Sequence, residues 1–140
     1  MIRKIEKTDY PRLVEIWSSA VKSTHTFFND EDFLHYEQQL PFYFEHVTLW
    51  GFEVEGGLRG FVGVAGDVLE MLFIHNDYRG QGIGKQLAMY VINNLAVRKV
   101  DVNEQNEQAV GFYKKIGFKL VKRSALDAEG KEYPILHLSL

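Results

Sequence analysis

The chain has 140 residues, enough for one domain that buries roughly 68–70% of the surface its unfolded form exposes, with no comfortable room for a second. A hydrophobic content of 46% and a charged content of 25% are those of a globular protein, and a formal net charge of −3 argues against a broad electrostatic grip on nucleic acid or an anionic membrane. The lack of cysteine excludes disulfides, thiolate metal sites and a cysteine nucleophile. The first residues carry no apolar core of a signal peptide, and no apolar run nears the ~20 residues of a membrane span, so a cytoplasmic protein is expected.

Residues 2–7 read as a short strand. Asp9 stands where it would cap a helix whose apolar positions Leu13, Ile16, Trp17, Ala20 and Val21 recur at helical spacing. The run Ser23-Thr24-His25-Thr26-Phe27-Phe28 breaks that period and predicts a loop. A second helix is expected from Asn29 or Asp30. Asp30, Glu31 and Asp32 suit its positive end, and it carries Phe33, Tyr36 and Leu40 until Pro41 disrupts it. Residues 47–54 and 58–65 flank Glu55-Gly56-Gly57, a hairpin signal, and Gly66-Asp67 predicts another turn into a third strand over 68–74.

Ile83, Leu87, Val91, Ile92 and Leu95 mark a long helix with one apolar face. In the short strand 99–103, Val100 and Val102 oppose Asp101 and Asn103. Ala109, Phe112, Tyr113 and Ile116 form the stripe of a shorter helix, which Gly117 ends. Residues 118–125 and 132–140, separated by Asp127-Ala128-Glu129-Gly130, predict a terminal hairpin. The expected order is β-αα-βββ-α-β-α-ββ: one mixed α/β domain over residues 1–140.

The most informative stretch is Tyr78-Arg79-Gly80-Gln81-Gly82-Ile83-Gly84-Lys85, between an apolar strand and an amphipathic helix. Three glycines in five positions let a backbone approach a bound group closely. The helix start beyond them leaves N–H groups unpaired and carries partial positive charge. Such a turn is a pocket for a phosphate or pyrophosphate, with Arg79 adding a full charge at its rim. The alternative is a glycine turn used only for close helix–strand packing. A Rossmann fingerprint needs G-x-G-x-x-G within βαβ repeats, and a P-loop needs a hydroxyl where Gln86 stands and a different glycine spacing.

Arg79-Gly80-Gln81-Gly82-Ile83-Gly84 resembles the R/Q-x-x-G-x-G/A signature of the GNAT superfamily of acetyl-CoA-dependent N-acetyltransferases. The stretch from Asn106 through Phe112-Tyr113 to Gly117-Phe118 is similar to that family's second signature, N-x-x-A-x-x-F-Y-x-x-x-G-F. The element order fits as well, so the resemblance covers nearly the whole chain. Asn76 departs from a family proline in a connecting turn. The resemblance implies a GNAT-like fold: a central mixed, mostly antiparallel twisted sheet flanked by four helices. It implies acetyl-CoA as cosubstrate, no metal, and direct transfer to a primary amine in a ternary complex.

The resemblance further implies that main-chain N–H groups of residues 81–85 hold the CoA pyrophosphate. Arg79, Gly80, Gln81, Gly82, Ile83, Gly84 and Lys85 are then cofactor-binding, as are Leu72, Phe73 and Ile74 of the fourth strand and Asn106, Ala109, Phe112 and Tyr113. Tyr113 would protonate the departing thiolate, or else be a core tyrosine. Glu70, a lone carboxylate in an apolar strand, would be the general base, or else face solvent at an edge or bulge position; Asp101 on the next strand competes, or else is a solvated strand residue or a hydrogen-bonding partner. The acceptor would lie among His25, Phe28, Phe27, Trp17, Tyr36 and Trp50, with His25 and Phe28 the named substrate-binding candidates. The remaining histidines show no metal-ligating spacing. The acceptor is a small-molecule or protein amine, with no nucleic acid and no membrane as partner, and the resemblance admits a homodimer. A non-catalytic acyl-CoA-binding or sensing domain on the same fold is the alternative, and a toxin acetylating aminoacyl-tRNA fits poorly with the net charge.

Overall fold

A computed structural model describes residues 1–140. Seven strands form one sheet: β1 (Ile2–Lys4), β2 (Thr48–Val54), β3 (Gly57–Ala65), β4 (Val68–Ile74), β5 (Lys99–Asn103), β6 (Lys119–Ser124) and β7 (Ile135–Ser139). Four helices cover it: α1 (Tyr10–Thr24), α2 (Asp30–Phe44), α3 (Ile83–Leu95) and α4 (Glu107–Ile116). The spatial order is β1-β2-β3-β4-β5-β7-β6, every pairing antiparallel except β4 with β5.

The period of two along the strands splits the core into two layers. Val62 and Val64 face Ile83, Leu87 and Val91 of α3, while Phe61 faces Leu13 and Ile16 of α1 and Leu40 and Phe44 of α2. β3 is buried on both faces because helices lie on each side of it.

Four local expectations are corrected. Helix α2 does not stop at Pro41 but continues to Phe44. Pro41 is exposed, while Leu40 and Phe44 on either side are buried at 3% and 1% exposure. Burying those two side chains contributes about 3–6 kcal/mol, which offsets the ~3 kcal/mol cost of an internal proline. Asp9 does not cap α1 with its side chain. Its carboxylate accepts from both terminal nitrogens of Arg3 (2.9 and 3.0 Å) and from the Glu6 N–H (2.9 Å). Strand β1 accordingly ends at Lys4, before a single 3-10 turn over Lys7–Asp9. Helix α1 also runs into the expected loop, ending at Thr24.

The parallel β4–β5 ladder is brief: Val68 pairs with Lys99 and Leu69 with Val100, and there the pairing ends. Beyond that point the strands part, and the chain leaves β4 for α3 and β5 for α4 on opposite sides of the gap. No helix is long and apolar enough to cross a membrane.

Candidate active site

The split between β4 and β5 is bordered by two clefts. The first, ≈ 430 Å³, is lined by the end of β4 (Leu72, Phe73, Ile74), by the turn into α3, and by one side of α4 (Asn106, Gln108, Ala109, Phe112, Tyr113). The turn is built by Gly80 and Gly82, at φ +76° and +80°, where an L side chain would be strained. Backbone amides 80–85 donate to no main-chain carbonyl, because the first helical bond of α3 is Gln86 N–H to Gly82 C=O. A Cβ at Gly80 or Gly82 would meet open space, so the bare turn borders the cleft without filling it. Unpaired amides at the positive end of a thirteen-residue helix fit a pyrophosphate.

Arg79, Gly80, Gly82, Ile83, Gly84 and Lys85 all line this cleft; Gln81 is exposed and does not line it. Arg79 donates from Nη2 to Gln108 Oε1. Asn106 caps α4, its side chain accepting from the Ala109 N–H at 3.2 Å. Tyr113 belongs both to the core, edge-on to Phe112 and Phe118, and to the cleft lining. Burial alone raises its phenol well above the ordinary tyrosine value. Ala20, Thr24, Tyr78 and Gln108 also line the cleft and were not anticipated. Ala20 and Thr24 are four apart on one helix face, a spacing that could have flagged them.

His25 lies in this first cleft rather than on the acceptor side expected for it. It is 8% exposed, with Nδ1 2.8 Å from Thr24 Oγ1 and rings of Phe27 and Phe28 at 5.2 and 5.4 Å. Burial pushes its imidazole down to about 4.

The second cleft, ≈ 460 Å³, opens on the α1–α2 side of the sheet. Its floor carries Glu70, Asp101, Asn103, Ser124, Ile135 and His137, and its walls Trp17, Phe28, Tyr36, Leu40 and Tyr43. Glu70 reaches it through a β-bulge: Gly63 pairs with Met71 and Val64 with Leu69, so Glu70 is the extra residue. The bulge explains why Leu69 packs on the α3 layer while Met71 packs on the α1–α2 layer. Glu70 is surface-accessible, yet desolvation by the cleft walls, with the nearby Asp101 charge adding, raises its carboxyl above the usual range. Asp101 is held by His137, whose Nδ1 lies 2.6 Å from Asp101 Oδ1.

The β6–β7 connection straps the cleft to α2. Tyr36 donates to Asp127, Tyr43 to Glu129, and Tyr133 to Asp32, which also pairs with Lys131 at 3.0 Å. Of the other aromatic candidates, Trp50 is not here. It lies on the opposite face of the sheet, 5.0 Å from Tyr90 of α3. Phe27 packs on Phe28 and Tyr133 instead of lining the cleft. No group of three His, Cys, Asp or Glu is arranged to hold a metal ion.

A sheet that opens beside a bare-amide turn, with a second cleft across the gap, is the arrangement of an acyl-CoA-dependent acyltransferase. Residues 18–132 match the acetyltransferase (GNAT) domain, and the chain belongs to the GNAT family of acetyl-CoA-dependent N-acetyltransferases. It is 38% identical to the peptidyl-lysine N-acetyltransferase YjaB of Salmonella typhimurium over 98% of this chain and 95% of that protein. The solution structure of apo YjaB from Escherichia coli superposes with a TM-score of 0.89 at 38% identity, covering 99% of this chain and 95% of that one. The fold is also that of the PaiA N-acetyltransferase of Thermoplasma acidophilum in complex with coenzyme A, with a TM-score of 0.73 at 21% identity over 100% and 98% of the two chains.

Proposed function

We propose that the protein transfers an acetyl group from acetyl-CoA to a primary amine, the side chain of a lysine in a protein or peptide, by direct attack in a ternary complex. The observation that carries this reading is the placement of Tyr113 and Glu70 in the two clefts bordering one strand split. The lysine acceptor rests on the relatives at 38% identity named for that activity.

Acetyl-CoA, when bound, supplies an activated acetyl carbonyl. Amides 80–85 and Arg79 hold its pyrophosphate, and the edge of β4 at Leu72, Phe73 and Ile74, left without a partner by the split, aligns the pantetheine arm. Asn106, Ala109 and Phe112 border the same arm from α4. Glu70 takes the ammonium proton, directly or through water. Its raised carboxyl, desolvated by the cleft walls and facing the Asp101 charge, makes it a stronger base than an ordinary glutamate. Asp101 is the weaker candidate because His137 already occupies its carboxylate. Tyr113, protonated at neutral pH, donates to the departing sulfur. Phe28 and the neighbouring aromatic wall take the aliphatic part of the acceptor chain.

The test is incubation of the purified protein with acetyl-CoA and a lysine peptide whose α-amine is blocked. Thiol release together with one added acetyl mass on the lysine is expected. CoA binding without thiol release would mean a sensing domain, and acetylation of free small amines alone would move the acceptor away from proteins.

A further inference from the structure

On the floor of the second cleft, Asp101, the weaker candidate base, is joined by hydrogen bonds to two side chains that this scheme does not use. Asp101 of β5 and His137 of β7 are direct cross-strand partners, and His137 Nε2 lies 2.7 Å from Ser124 Oγ at the end of β6. Because β7 runs between β5 and β6, one imidazole bridges both neighbouring strands. The facing depends on a bulge. Leu120 pairs with Leu138 and Lys122 with His137, so Val121 is an extra residue that switches the parity of β6. Without it Ser124 would face the α3–α4 layer. With it, Ser124, His137 and Asp101 all line the second cleft.

The protonation pattern follows from donor chemistry. A carboxylate only accepts, so the imidazole N–H directed at Asp101 is Nδ1–H, and Nε2 is left to accept from the Ser124 hydroxyl. That is the order nucleophile, base, orienting carboxylate. The amides of Ala125 and Leu126, which follow Ser124, donate to no main-chain carbonyl. Trp17, Phe28 and Leu40 give the cleft apolar walls, while Glu70, Asp127 and Glu129 make it unfavourable to anionic substrates.

From this geometry we infer that Ser124 is a nucleophilic serine, activated by His137 and Asp101, that reacts with small neutral activated carboxylic esters independently of acetyl-CoA. Ser124 Oγ bonds to the ester carbonyl carbon as its proton passes to His137 Nε2. The bond to the leaving alcohol or phenol oxygen then breaks, and that oxygen takes the proton from His137. Water repeats the sequence on the acyl-serine, releasing the carboxylic acid and restoring Ser124.

The test uses the full chain with diisopropyl fluorophosphate, followed by intact mass and peptide mapping, and with p-nitrophenyl acetate, followed by phenolate release. Labelling at Ser124 is expected, absent in Ser124→Ala and slowed about 100-fold in His137→Gln, alongside ester hydrolysis that falls in parallel. Circular dichroism melts establish that each variant is folded. Wild-type protein that takes no label, takes it elsewhere, or is labelled at Ser124 at a rate His137→Gln leaves unchanged overturns the proposal and leaves the three side chains a hydrogen-bonded ladder. The wild-type labelling decides even if a variant fails to fold, and none of it depends on acetyl transfer.

Discussion

Arg79 on the turn after β4 is hydrogen-bonded to Gln108 in the first turn of α4, joining the two sides of the first cleft. Gln108 uses one of the five guanidinium N–H groups and orients the rest. Arg79→Ala is therefore expected to weaken CoA binding about tenfold by calorimetry, with a difference that shrinks as salt rises. Gln108→Ala should cost less, because the charge remains and only its orientation is lost. Equal affinity for Arg79→Ala and the native chain at low salt would remove Arg79 from the phosphate site.

At Gly82 the backbone conformation and the ligand can be separated. A Cβ there would meet no atom within 4 Å, so Gly82→Ala suffers only the left-handed backbone, φ +80°, at about 1–2 kcal/mol. It should melt a few degrees lower and still bind CoA. Gly82→Asp carries the same backbone cost and adds a negative charge facing phosphate, so calorimetry should detect no binding in the folded variant. Undiminished affinity in Gly82→Asp would mean that the glycines serve helix–strand packing alone.

Much of this fold was legible because its signals are local. The glycine turn and the Gly117 stop act within a few residues, and each appears where the chain predicts it. Pro41 and Asp9 misled for the opposite reason. The core contacts of Leu40 and Phe44, and the reach of Arg3 to Asp9, are set by tertiary packing that no local pattern encodes. The bulge at Val121 was invisible, and a bulge at Glu70 was only one reading open for a lone carboxylate in an apolar strand, since each is a mismatch between two strands rather than a property of one. His25 shows the same limit: the sequence showed an aromatic loop, but not which cleft it would border.

Tyr113 sits in the core and borders the first cleft, so its ring and its hydroxyl should separate in kinetics. Tyr113→Phe keeps the ring packing against Phe112 and Phe118 and should leave stability and CoA affinity nearly unchanged. Its kcat is expected to fall on the order of 100-fold. Turnover equal to the native enzyme would make Tyr113 a packing residue.

The proposed base, Glu70, also bears on stability. Its carboxyl is raised in the folded state, so the native chain holds this proton more tightly than the unfolded one. The contribution is favourable below the ordinary value of 4.5 and is lost as pH climbs through the raised folded value. Above that range the ionised carboxylate, desolvated and near Asp101, is a cost to folding, one that Glu70→Gln relieves. Glu70→Gln should lower kcat, abolish the acid limb of the kcat/KM profile, and raise Tm more at neutral pH than in acid. A variant with native turnover and an unchanged acid limb would eliminate Glu70 as the base.

His25 carries the opposite sign. Burial depresses its imidazole from 6.5 to about 4, so between those values the unfolded chain binds a proton that the folded chain does not. Stability from this group is complete above the unfolded value and drains away as pH falls toward the folded one. The group is 8% exposed, so little solvent screening intervenes, and acidification from about pH 7 to about pH 4.5 should cost about 2 kcal/mol through this ring alone. His25→Gln has no such titration. Its urea-unfolding free energy should start lower at neutral pH, because the ring packing against Phe27 and Phe28 is lost, and then fall less on acidification than that of the native chain. Parallel losses in the two proteins would mean that His25 titrates normally, and that the pocket beside Thr24 is wetter than its burial implies.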